Sequence, residues 1–215
     1  MSRYASWGII LDDIIYPDGR SAMGTLGGGG LYAACGMRLW HQDVAVCAAV
    51  GADFAVSSLI SHCFDGSGLV VTEHPTPRAW QLLEENGRRT QIPRVSPDAW
   101  FGQLVRTPVA QPIPATLKAL HFQGRGDAPE EKFVQALVTA GVILSAEPIV
   151  GADSTAEEID TIKRCLPYFG IFSPDELGAK VFVGERPIKE QLRALALLGP
   201  RIVALRHREG WGTDL

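Results

Sequence analysis

The chain has 215 residues, 46% hydrophobic and 20% charged, with a formal net charge of −4. That length supports one sizeable core, and the absence of any Lys/Arg run removes the basic footprint that nucleic acid requires. No apolar stretch reaches the ~20 residues of a membrane-spanning helix. The N-terminal apolar run is interrupted by Asp12 and Asp13 and lacks a cleavage pattern, so it does not read as a signal peptide. The four cysteines lie scattered in apolar segments without a CxxC, and the five histidines show no metal-ligand spacing. The expectation is a cytoplasmic protein with reduced, mostly buried thiols and no zinc site.

In chain order, residues 7–16 are an apolar, β-branched run that predicts one buried strand, ended by the turn chemistry of YPDGR. A helix follows over 31–40, a buried strand over 43–50, a short helix over 54–63 and a strand over 69–73. Residues 79–95 form two polar arms around Asn86-Gly87, which predicts a hairpin outside the main sheet. Residues 96–117 hold four prolines and predict a long irregular connection. Thereafter strands at 120–123, 142–147, 171–173 and 202–206 alternate with helices at 129–140, 156–169, from 175, and at 188–198. Such alternation predicts an α/β fold with a mostly parallel sheet covered by helices on both faces.

Ligands of such sheets sit beyond the carboxyl ends of the strands. The polar residues there are Asp12, Asp13, Gln123, Glu147, Ser173 and Asp175. Gly27, Gly28, Gly29 and Gly30 run into a helix, where bare backbone N–H groups could meet ligand oxygens and Asp13 could accept bonds from adjacent hydroxyls. A flexible loop fits the glycines equally well. Gly28, Gly30 and Ala33 also match GxGxxA, but the segment YPDGRSAMGTL separates them from the first strand.

The order GIILDDII, LGGGGLYAACGMRLW and VAVCAAVGADF resembles the N-terminal half of the ribokinase-like (PfkB-type) carbohydrate kinases. Gly8 and Asp13 match a strand Gly and a substrate-binding Asp, Gly27-Gly28 a paired glycine, and Gly51, Asp53 and Phe54 a G-x-D turn. The resemblance implies a three-layer α/β/α domain spanning residues 1–215, with lid elements at about 14–26 and 72–95 closing over the substrate. It implies ATP-dependent phosphotransfer to a sugar or related polyol with ATP and Mg²⁺. Asp13, Gly27, Gly28, Gly29, Tyr32 and Arg78 would bind substrate, Arg89 would join Arg78 in the lid, and Asp175 and Glu147 would face the nucleotide.

The departures carry expectations of their own. Tyr32 stands where the family often has Asn, Asp175 where it has Asn near the phosphates, and Gly178 where it has an acid. The Gly-Ala-Gly-Asp motif that supplies the family's catalytic base is met only by a vague glycine-acid echo at Gly210, Gly212 and Asp214, with no helix after it. The decoy Gly124-Arg125-Gly126-Asp127 precedes a helix and reads as a helix cap. The expectation is therefore an incomplete ribokinase-like fold, a truncated kinase of negligible activity alone, with a sheet edge covered by a partner or a second copy. The other readings are a non-catalytic binding module on the same half-fold and a dinucleotide-binding oxidoreductase.

Overall fold

The computed structural model describes residues 2–55, 57–105, 115–126, 128–151 and 154–206. It divides into two compact units, Met1–His121 and Phe122–Leu215. The apolar run expected as one strand is two: β1 (Tyr4–Trp7) and β2 (Ile10–Ile15). The break is Gly8, whose φ of +113° strains any residue with a Cβ and whose N–H donates to Cys47 O. β3 (Ser21–Gly27) returns antiparallel to β2, with Ile10 opposite Gly27 and Asp12 opposite Thr25. Helix α1 (Gly29–Arg38) follows directly, then β4 (Val44–Gly51), whose eight residues are all buried, as its lack of polar side chains requires.

α2 (Ser57–Cys63) leads into β5 (Asp65–Thr72). The expected hairpin is β6 (Arg78–Leu83) and β7 (Arg89–Pro93), joined by a turn in which Gly87 takes φ +78°. The connection expected to be irregular contains α3 (Pro97–Val105), opened by Ser96, whose Oγ accepts from Ala99 N–H at 3.2 Å. Pro97 at the first helical position pre-sets its φ. β8 (Ala119–Gly124) follows.

The second unit holds α4 (Ala128–Thr139), β9 (Ile143–Pro148), α5 (Ala156–Cys165), a 3₁₀ turn at Leu166–Tyr168, β10 (Phe169–Phe172), α6 (Glu176–Val183), α7 (Ile188–Ala196) and a short β11 (Ile202–Val203). Thr155 and Glu158 close a reciprocal capping box on α5. Phe122, Phe133, Phe169, Phe172 and Phe182 form its aromatic core, with successive ring centroids 5.4–6.3 Å apart. The cap expected at Asp127 lies outside the described residues, as do Gly210, Gly212 and Asp214.

The larger sheet has the order β11-β10-β9-β8-β1-β4-β5 and is flanked by helices. Each of its described registers is parallel. The smaller sheet has the order β3-β2-β6-β7, so the hairpin docks on β2, which leaves the larger sheet at Gly8. Among the described residues no helix is long and apolar enough to cross a membrane. Two of the thiols expected to be buried are exposed, Cys35 and Cys63, because each lies on the outer side of its helix; Cys47 and Cys165 are buried.

Candidate functional site

Successive side chains of a strand point to opposite faces. Asp12 and Asp13 therefore serve different sides of the smaller sheet. On one face Asp13, with no exposed side-chain surface, accepts from Arg78 Nε and Nη2 at 2.7 Å each, from Arg94, and from the Gly24 N–H at 2.8 Å. The Arg94 guanidinium also lies 4.4 Å from the centre of the Trp80 ring. The hydrogen bonds from Arg78, joined by those from Gly24 and Arg94, hold the Asp13 carboxyl far below the usual 3.8. This is a closed ionic clamp that ties β2 to both arms of the hairpin.

On the other face Asp12 is 5% exposed. Its Oδ1 accepts from Gln81 Nε2 at 2.7 Å, and the same nitrogen donates to Gln91 Oε1 at 2.9 Å. No donor among the described residues reaches Asp12 Oδ2, which lies against Gly27 so closely that a Cβ there would overlap it. Tyr32 Oη, from the first turns of α1, lies 3.4 Å from the same point. Burial pushes the Asp12 carboxyl above its usual 3.8 and Asp13 adds to the rise, while the Gln81 bond and the Arg89 charge oppose it. Burial, with the Asp12 charge, likewise pushes the Tyr32 phenol up.

The glycine run has specific work to do here. Gly27 leaves room for Asp12 Oδ2, and Gly28 is the N-cap of α1 at φ +96°. A Cβ on Gly30 would overlap the carbonyl of Trp7, so its absence lets α1 approach the end of β1. Gly29 opens the helix, and α1 has neither a side-chain cap nor an acidic residue in its first turn. Its free N–H groups and the positive end of its dipole are left for other acceptors.

Sequence reasoning set Asp13, Gly27, Gly28, Gly29, Tyr32 and Arg78 together. The structure brings Gly27 and Tyr32 to Asp12, while Asp13 and Arg78 meet on the opposite face. Asp12 was named among the polar residues at strand ends but given no role, and Gln81, Gln91 and Arg94 were passed over. The Asn86-Gly87 turn could have supplied the signal for two of them, because it sets Gln81 opposite Gln91 in the hairpin register. The G-x-D turn forms a latch: Asp53 Oδ1 accepts from Thr76 N–H at 2.9 Å and Oγ1 at 2.7 Å, two residues before Arg78. Trp100 belongs to the core with Ile10 and Ala79, and Glu84 pairs with Arg88 on the surface at 3.7 Å.

The residues expected on the nucleotide side lie in the second unit. Asp175 is the N-cap of α6, its Oδ1 accepting from Gly178 N–H at 2.7 Å, and Glu147 is ion-paired to Arg206. Asp175, Glu176, Leu177, Lys180 and Arg206 line a shallow cleft of about 360 Å³. Its cations are Lys180, paired with Glu185 at 3.2 Å, and Arg206, paired with Glu147. Of its two lining carboxylates Asp175 caps α6, and Glu147, outside the lining, is held by Arg206. Among the described residues no three His, Cys, Asp or Glu side chains gather as a metal site.

No family model and no curated protein sequence matches the chain. Solved structures do. A PfkB protein from Polaromonas sp. JS666 superimposes with a TM-score of 0.72 at 16% identity, over 97% of this chain and 77% of that one. A fructokinase from Vibrio cholerae O395, in fructose, ADP and calcium ion bound form, gives 0.74 at 19% identity, over 95% and 70%. A ribokinase from Giardia lamblia gives 0.63 at 18% identity, over 95% and 68%. With its parallel sheet, its smaller sheet and the glycine-led first helix, the chain has the fold of the ribokinase-like (PfkB-type) carbohydrate kinases.

Proposed function

We propose that the chain binds a sugar or related polyol on the Asp12 face of its smaller sheet and is a phosphotransferase of the ribokinase-like kind, using ATP with Mg²⁺. The observation that carries the reading is the pairing of Asp12 with Gly27. One carboxylate oxygen is fixed by Gln81, and the other has no donor among the described residues and stands opposite a residue with no side chain. A carboxylate so held accepts hydrogen bonds from two adjacent hydroxyls, and the N–H groups of Gly28 and Gly29 meet substrate oxygens. Tyr32 bounds the same space and stacks against or donates to the polyol. Asp13 and Arg78 act at one remove, by fixing β2 against the hairpin so that Asp12 and Gln81 keep their geometry. The nucleotide phosphates lie in the cleft beside Asp175, with Lys180 and Arg206 as counter-charges and Glu147 orienting Arg206. When bound, Mg²⁺ would neutralise phosphate charge there.

Isothermal titration of a panel of sugars and polyols tests the reading. At least one is expected to bind, with Asp12→Asn weakening it about tenfold or more, the effect of turning a charged acceptor into a donor. Equal binding by the Asp12→Asn variant would refute the site. A second reading, polyol binding without phosphotransfer, draws on Asp175 and Glu147 being already engaged within the chain. Polyol-dependent ATP turnover by the purified chain would exclude it.

A further inference from the structure

Asp12 and Asp13 are adjacent buried carboxylates, and only one of them has its charge answered. Asp13 holds two guanidinium groups, those of Arg78 and Arg94. Asp12 has no ion-pair partner among the described residues, and its Oδ1 accepts from a neutral amide, that of Gln81. Buried charges are as a rule paired. Arg89 acts on Asp12 without pairing with it. It stands with Glu84, Glu85 and Arg88 around the Asn86-Gly87 turn, where two negative and two positive side chains balance. Among the described residues the counter-charge of Asp12 is therefore missing.

The atoms nearest Asp12 Oδ2 lack donors as well. Gln81 Nε2 spends both its N–H groups, on Asp12 and on Gln91 Oε1. Gln81 Oε1 is buried and no donor among the described residues reaches it, which costs free energy until a donor is supplied. Tyr32 Oη, 3.4 Å from the point that a Cβ on Gly27 would occupy, can also accept, and the exposed Tyr32 ring offers a face to a cation. A hydroxyl brings one donor to such a place. An ammonium brings three, with a positive charge and no acceptor of its own.

Resting on the polyol reading above, we propose that the polyol carries an amine: the substrate is an amino sugar or amino polyol whose ammonium donates to Asp12 Oδ2 and Gln81 Oε1. Its hydroxyl oxygens meet the uncapped N–H groups at the start of α1. The amine then sets affinity, because a hydrogen bond between charged groups is about twice as strong as a neutral one. Tyr32 closes over the cation from the exposed side.

Titration calorimetry of the full chain at fixed ionic strength and about pH 6.5, where such amines are protonated, tests this with matched sugars. Glucosamine is set against glucose and N-acetylglucosamine, and 1-amino-1-deoxyfructose against fructose. At least one amine is expected to bind about tenfold or more tighter than its neutral partner. In Asp12→Asn that ratio should fall to one or below. In Tyr32→Leu, a change at an exposed position, it should fall in part. In Glu84→Gln and Glu85→Gln it should stay at the value of the unsubstituted chain. Neutral sugars binding as well as or better than both amines would overturn the assignment of the ammonium, and the polyol site would stand if Asp12→Asn still weakened them. A ratio unchanged in Asp12→Asn, or lost in Glu84→Gln or Glu85→Gln, would overturn it too, by moving the amine to the hairpin turn. Binding of no sugar of either kind would overturn the site itself.

Discussion

Asp13→Asn separates the clamp from the site. The substitution keeps an oxygen that can accept from Gly24 N–H and from one Arg78 nitrogen, but it places an NH₂ against the remaining guanidinium nitrogens. Breaking a fully buried ion pair costs about 3–5 kcal/mol. Asp13 has no exposed side-chain surface, yet Arg78 and Arg94 remain 35% and 36% exposed, so water recovers part of that loss. A cost of about 2–3 kcal/mol remains, a fall in melting temperature of roughly 4–12 °C for a chain of this size. Differential scanning calorimetry or urea melts read it directly.

Acid adds a second signature to the same variant. The folded-state pKa of Asp13 lies below its unfolded value, so the clamp stabilises fully above about pH 4 and is lost as pH falls below it. The stability gap between the unsubstituted chain and Asp13→Asn should therefore shrink from pH 5.5 to pH 2.5. Asp12→Asn is the contrast. Burial raises the pKa of Asp12, so the ionised carboxylate is a burden to the fold above its unfolded pKa, and its removal is expected to leave stability equal or higher at pH 7. A cost below about 0.5 kcal/mol for Asp13→Asn, the level of an exposed pair, would refute the clamp.

Gly30→Ala sets a methyl group against the Trp7 carbonyl, where backbone must shift, and is expected to cost about 1–3 kcal/mol by overpacking in a denaturant melt. Hydroxyl donors favour the ionised form of a buried carboxylate, so polyol affinity should rise with pH through the elevated pKa of Asp12; calorimetry across that range showing flat or falling affinity would count against Asp12 as the ligand. Cys35 and Cys63 should react with an aromatic disulfide reagent in the folded chain. Cys47 and Cys165, which burial pushes up to about 12, should react only on unfolding.

Where residue type alone decides, the sequence already carried the answer. VAVCAAVG can only be a strand buried on both faces, and Asn86-Gly87 can only turn a hairpin. The alternation of strands and helices after residue 119 marked the parallel sheet. What escaped depends on where the chain changes partners. WGIILDDII is one apolar run, and nothing in its pattern says that Gly8 ends one sheet and opens another. β3, SAMGTLG, is half-exposed with two glycines, so it lacks both a buried run and a clean alternation. Asp12 and Asp13 are chemically identical neighbours. Only the register of β2 against β3 and β6 sends one to Gly27 and the other to Arg78, and register is a property of pairing across 11 to 65 residues.

The most direct observation is by NMR of the isotope-labelled chain, following the Asp12 and Asp13 carboxyl carbons and the backbone amides of Gly27, Gly28 and Gly29 as a binding polyol is added. Shifts are expected at the Asp12 carboxyl and the three glycine amides, with the Asp13 carboxyl and the Arg78 and Arg94 guanidinium signals nearly still. Shifts centred on Asp13, Arg78 and Arg94, with Asp12 and the glycines unmoved, would contradict the assignment of the two faces.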